Sequence, residues 1–186
     1  MPNVIRILGL DPGLRRTGWG VVAIEGAQLR HVAHGVVAPD DRRPLAERLL
    51  SIHAGVGEAI ARWTPDEAAI EETFVTANGA STLKLGHARA AAMLAPAAAG
   101  LPVAEYAAKV VKKALVGTGG ADKAQVSFMV ARLLPSAGPV SADAADALAV
   151  AICHAHARSS FATRLRQGFG GQAASEDLSS VAPRGA

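Results

Sequence analysis

Four carboxylates, at Asp11, Glu71, Asp143 and Asp146, stand where the surrounding sequence makes charge costly. Asp11 ends the apolar run "IRILGL" and meets Pro-Gly at once, so it closes what reads as a central strand. Glu71 and Glu72 close a second apolar run, "DEAAIEE". Asp143 and Asp146 open "DAADALAVAI", the most apolar helical segment of the chain, and their spacing puts both on one helix face. Each has an ordinary reading. Asp11 is a turn-former, Glu71 and Glu72 a solvated strand end, Asp143 and Asp146 dipole partners in a first helical turn. These readings weaken when taken together. Parallel neighbouring strands would bring Asp11 and Glu71 side by side at one sheet edge, and so apolar a helix must pack on a sheet. If its first turn lands at those strand ends, four acids converge. Unpaired, they repel one another and raise at least one pKa. A divalent cation is the usual remedy, and hard oxygen donors favour Mg²⁺. Two such ions about 3.5–4 Å apart can clamp the attacking and leaving oxygens of a phosphate displacement.

Cations lie nearby in the sequence. Lys109, Lys112 and Lys113 share a helical face, and Lys123 follows a "GTGG" turn. They read either as a solvated lysine face or as a stripe that displaces counterions from a phosphate backbone. Phe74, in "ETFVTANGAS", reads either as core or as a loop aromatic that stacks on an unpaired base, worth about 1–3 kcal/mol. His87, His154 and His156 carry metal-ligating chemistry, but His154 and His156 are two apart on a helix and point differently, so they are set aside as a site.

The elements that must position these groups follow from periodicity. "NVIRILGL", "TGWGVVAIEG" and "LRHVAHGVVAP" read as a three-stranded antiparallel meander. Pro44 opens a helix with Leu45, Leu49, Ile52, Val56, Ile60 and Trp63 on one face. The strand ending at Glu71 and Glu72, a helix over about 81–95, and the strand "LPVAEYA" come next. A short basic helix stops at Gly117, Asp122 with Gln125 caps another, and Ser141 caps the last. Val126, Met129, Val130 and Leu133 form the apolar side of the helix that Asp122 caps. Strands first and β-α alternation afterwards imply a mixed α/β sheet with helices on its faces. The predicted domain covers 1–158. Residues 159–186, rich in Gly, Ser and Ala, read as a disordered tail.

Composition sets bounds. The 186 residues are 50% hydrophobic and 19% charged, a globular balance that can bury roughly 70% of the unfolded chain's surface. The single cysteine, Cys153, excludes an internal disulfide and suits a reducing cytoplasm. "MPNVIRILGLDPG" meets Asp11 before a signal-peptide core could form, and the alanine-rich stretch near 91–104 is broken by Pro96, Gly100 and Pro102, a poor membrane span. A net charge of +3 and a pI near 9.4 favour an anionic partner weakly.

"GLDPGLRRTGWGVV", "AIEETFV", "STLKLGHARA", "EYAAKVVKKALVGTGGADKAQV" and "DAADALAVAICHAH" resemble, in that order, the RuvC family of Holliday-junction resolvases. The resemblance runs from about Ile5 to His156. It implies a ribonuclease H-like fold, here a mixed five-stranded sheet flanked by helices. It also implies a homodimer that nicks two opposed strands of a four-way DNA junction, leaving 5′-phosphate and 3′-hydroxyl ends. On this resemblance Asp11, Glu71, Asp143 and Asp146 are the catalytic carboxylates and ligands of two Mg²⁺ per subunit, with Mn²⁺ able to substitute. Lys112 and Lys123 attend the scissile phosphate, Lys109 and Lys113 contact DNA, and Phe74 stacks on junction bases. The RuvA and RuvB branch-migration proteins are implied partners. The sequence departs from the family pattern at Trp19, where tyrosine is usual, and in "GHARA", where "GQARG" is more typical. "STLKLGHARAAAMLA", with Gly86 and its alanines, offers a seam for two-fold pairing. Three rival readings are a phosphotransferase of the actin and sugar-kinase type, a junction-binding module without catalysis, and a ribonuclease acting on RNA–DNA hybrids or ribosomal RNA precursors.

Overall fold

Apolar alternation decides which face each strand turns inward. The computed structural model describes residues 4–72 and 79–170, those beyond 158 by backbone alone. The chain divides into two compact units, Met1–His156 and Ala157–Ala186, and the sheet lies in the first. Strands β1 (Ile5–Asp11), β2 (Thr17–Glu25), β3 (Gln28–Val37), β4 (Glu67–Glu71) and β5 (Val103–Tyr106) form one five-stranded sheet in the order β3-β2-β1-β4-β5. The first three make the expected antiparallel meander, while β4 joins β1, and β5 joins β4, in parallel.

Along β1, Leu8 and Leu10 turn to one side and pack with Val21, Ala68 and Ile70 against helices α1 (Leu45–Trp63) and α2 (Gly79–Ala98). Ile7 and Gly9 turn to the other side, toward α5 (Ala142–Gly170), whose Ala147 and Ala151 lie over Gly9. Three layers result. Ile7, Leu8, Leu10, Val21, Val22 and Ile70 are all 0% exposed, each worth roughly 1.5–3 kcal/mol relative to an exposed side chain. Among the described residues no helix is long and apolar enough to cross a membrane.

Local signals explain the element ends. Gly117 (φ +82°) takes the left-handed conformation that ends α3 (Ala108–Val116), donating its N–H to the Lys113 carbonyl. Asp122 and Gln125 form a full capping box on α4 (Lys123–Leu133), with reciprocal bonds of 2.8 and 2.9 Å. Val126 and Val130 are buried on the predicted apolar side of α4, while Met129 and Leu133 are half-buried.

Several expectations are corrected. Leu45 is 39% exposed, and the packed face of α1 starts a turn later, at Leu49. Helix α2 runs through Pro96 to Ala98 rather than ending at Ala95, since Pro96 packs into the core near the helix end, where few hydrogen bonds are forfeited. Helix α5 runs on to Gly170 rather than ending with "ADAADALAVAICHAHA" at Ala157. The Ala, Arg, Leu and Gln of that stretch are good helix formers, which the low hydrophobic periodicity obscured. Residues 171–186 lie outside the described residues.

His154 is fully buried, with Nδ1 2.8 Å from the Tyr106 hydroxyl and Nε2 2.9 Å from Glu67 Oε2. It ties α5 to β4 and β5, a core histidine with its polar atoms satisfied.

Candidate active site

Period-two alternation carries two of the acids to one place. Asp11 follows Ile7 and Gly9 on the α5 side of β1, and Glu71 follows Glu67 and Ala69 on the same side of β4. Pairing runs parallel through Leu10 and Ile70, so the next residues, Asp11 and Glu71, stand side by side at the sheet edge. Glycines then decide where α5 can lie. A Cβ on Gly18 would sit 1.9 Å from the Asp143 carbonyl oxygen, and one on Gly9 would sit 2.1 Å from that of Ala147. With hydrogen in those places, the first turns of α5 rest on β1 and β2, beside the two strand ends.

Asp11, Glu71 and Asp146 thereby line one pocket of about 240 Å³, together with Lys112 from α3 and Lys123 from the start of α4. Lys123 Nζ lies 3.1 Å from Asp146 Oδ2. Asp143 turns away. Its Oδ2 accepts a 2.5 Å bond from Arg16 Nε, and it lines an adjoining groove instead. Lys109 and Lys113 are exposed on α3 outside the pocket, and Phe74 lies outside the described residues.

The electrostatics follow from this geometry. Burial, then the charges of Asp146, Glu71 and Asp143, push the Asp11 carboxyl up to about 7, against the opposing pull of Lys123. Burial and Asp146 raise Glu71 above the usual carboxylate range, countered by Lys123 and Lys112. The Lys123 ammonium is held above its ordinary value chiefly by its hydrogen bond and charge pairing with Asp146. Desolvation is the largest single cause at Asp11. A carboxylate whose neutral form is favoured so strongly is one that a cation would relieve.

As placed, no group of three His, Cys, Asp or Glu side chains among the described residues is arranged to hold a metal ion. The chemistry of the donor set nevertheless fits a hard divalent cation: half-buried carboxylates in mutual repulsion, with Lys123 and Arg16 as the cations now neutralising Asp146 and Asp143.

Three positioning residues carried no signal in the sequence. Thr17, fully buried, closes the Asp11–Arg16 loop by donating to the Gly13 carbonyl at 2.8 Å and accepting from its N–H at 3.3 Å. Arg16 holds Asp143. Arg89 donates to the Glu71 carbonyl at 3.1 Å and pairs with Glu105, steadying the end of β4. Trp19 lies over Gly35 on the α1 side of the sheet and does not line the acidic pocket. His87 is half-buried, and its Nδ1 finds no partner among the described residues.

The profile of the crossover junction endodeoxyribonuclease RuvC family matches residues 7–154. The chain belongs to the RuvC family. Relatives of that name include those of Caulobacter vibrioides, 64% identical over 153 residues covering 82% of this chain and 90% of the relative, and Maricaulis maris, 66% identical over 154 residues covering 83% and 92%. A solved structure of Thermus thermophilus RuvC in complex with a Holliday junction substrate superposes with a TM-score of 0.77 at 38% identity, covering 84% of this chain and 96% of that one. The sheet and its flanking helices are thus the ribonuclease H-like fold of the RuvC family, whose nucleases are metal-dependent.

Proposed function

We propose that the chain resolves four-way DNA junctions by nicking two opposed strands of like polarity, leaving 5′-phosphate and 3′-hydroxyl ends. The observation that carries this is the convergence of Asp11, Glu71 and Asp146 with Lys112 and Lys123 on one pocket. Lys112 and Lys123 hold the non-bridging oxygens of the scissile phosphate, and Lys123 leaves Asp146 to do so. Asp143, released from Arg16, completes the set of four acids. Asp11, Glu71, Asp143 and Asp146 would hold two Mg²⁺, or Mn²⁺ in their place, and the ions would supply an activated water and charge neutralisation at the leaving oxygen. Burial of Asp11 and Glu71 keeps the carboxylates from being satisfied by solvent. Lys109 and Lys113 neutralise neighbouring phosphates, and Phe74 stacks on a junction base.

The working unit is a homodimer, acting in the cytoplasm with RuvA and RuvB. Support for pairing comes from α2, whose outer face carries Leu83 and Leu94, 63% and 59% exposed, around Gly86 and Ala90. The test is incubation with Mg²⁺ and a labelled synthetic four-way junction, beside linear duplex and RNA–DNA hybrid. Paired, ligatable nicks confined to the junction are expected. Equal cutting of the linear duplex, or cutting of the hybrid alone, overturns the reading.

A further inference from the structure

Beside the acidic pocket lies a second, larger depression of opposite sign. It measures about 570 Å³ and is lined by Arg15 and Arg16 of the β1–β2 loop, Arg48 of α1, Ser81 and Lys84 of α2, and Asp143. Four cations face one carboxylate, and that carboxylate is already taken by Arg16. Among the described residues Arg15 and Lys84 make no salt bridge, and Arg48 makes none within 4 Å, although its charge also reaches Asp40. Arg48 spends one Nη2 bond, 3.0 Å, on the Leu14 carbonyl, which anchors it under the loop, while its Nε is buried with no partner. A buried donor left unmet commonly marks a ligand or water site. Ser81 lies in the first turn of α2, a turn without acidic residues, where the helix dipole favours an anion.

We propose that this groove seats a backbone phosphate of the bound DNA next to the phosphate cut at the acidic pocket. The inference rests on the junction-nuclease reading above. The two sites share their framework: Asp11 and Gly13 belong to one loop, and Asp146 and Asp143 are neighbours on one face of α5. Groups three apart on a helix are about 5–6 Å apart, and a duplex strand presents one phosphate per about 3.4 Å of axis. A strand laid across the acidic pocket therefore reaches the groove within one or two nucleotides. The sign of the groove also solves a problem the acids create. Carboxylates repel a polyanion, and cations one step along the strand hold it there. Arg16 serves both sites, since the arrival of a phosphate competes with Asp143 for its guanidinium.

The test is junction binding by the full chain in EDTA, so that cutting does not enter, titrated at several salt concentrations. Arg15 and Lys84 are exposed, so R15Q and K84Q remove charge without opening the core. The double variant R15Q/K84Q should bind about 10-fold or more weakly near 0.1 M salt, and its log K against log salt slope should flatten by about 1 to 2. Each single variant should show part of that change, which keeps the test readable if the double variant folds poorly. R132Q, at the far end of α4 from Lys123, should leave the slope unchanged. Wild-type binding with an unaltered slope in R15Q and K84Q overturns the groove alone. A wild-type chain that binds no junction overturns the function reading, and the groove with it.

Discussion

Asp11 concentrates the conflict in this site, because the proposed function asks it to sit out of solvent beside a phosphate and yet stay charged to hold a cation. Burial and the neighbouring acids push its carboxyl up to about 7 in the folded chain, against an ordinary 3.8. The sign follows from linkage. Well below pH 3.8 the group is neutral in both states and contributes nothing. As pH rises from there toward 7 the unfolded chain ionises first, so folded stability falls, and above 7 the full penalty stays in place. In EDTA the wild type should therefore lose roughly 3 kcal/mol between pH 5 and pH 8 from this group. D11N should remove that loss, melt several degrees higher at pH 8, and cut junctions at least about 100-fold more slowly. Urea unfolding across pH measures it, and parallel curves for the two proteins would refute it. Added Mg²⁺ or Mn²⁺ should raise the melting temperature of the wild type and leave that of D11N almost unmoved. Lys123 acts in the opposite sense, lowering both Asp11 and Glu71. K123Q should shift the acidic limb of the kcat/KM profile to higher pH while lowering its plateau. A limb that stays in place would mean Lys123 does not set the charge state of the pocket.

At the scale of elements, α5 is the part whose placement matters most, and it rests on missing side chains. Gly18 lets the Asp143 peptide approach β2, where a methyl group would stand 1.9 Å from the carbonyl oxygen. G18A should cost about 3 kcal/mol, since backbone rather than a flexible side chain must move, and nicking should fall with it as Asp143 and Asp146 leave the strand ends. Gly57, in the middle of α1, has nothing within 4 Å of the same construction. G57A should stabilise the protein by about 0.5–1 kcal/mol through helix propensity, with cutting unchanged. Thermal unfolding of the pair separates a glycine required for approach from one that is tolerated.

At the scale of the whole molecule, one acidic pocket accommodates one phosphate, whereas a junction is resolved when two strands are cut. The proposed two-fold dimer would supply the second site. The alanine run of α2 is divided by its helical period: Ala88, Ala91, Ala92 and Ala95 pack into the core, while Leu83, Gly86, Ala90 and Leu94 look outward. A bulky change at Ala91 would thus damage the fold rather than the seam. A90E is the proper probe, and sedimentation should show a stable monomer that nicks one strand per encounter. A dimer that persists in A90E would move the seam elsewhere.

Much of this was legible in the chain before folding. The strand and helix order, the capping box at Asp122, the stop at Gly117 and the acids at strand and helix ends are local signals, written in spacing that any neighbouring residues can read. The inner face of α1 was legible from Leu49 onward, and Leu45 failed because periodicity does not say where a partner surface ends. What only the tertiary structure decided is the direction in which each charge is spent. Arg16 and Asp143 are 127 residues apart, and Lys123 and Asp146 are 23 apart, so their pairing depends on how α5 and α4 land on the sheet edge. The same packing separates three acids into one pocket and leaves the fourth on the wall of a basic groove. Charge type is a property of sequence, but the distance between charges is a property of packing, and electrostatic energy depends on both.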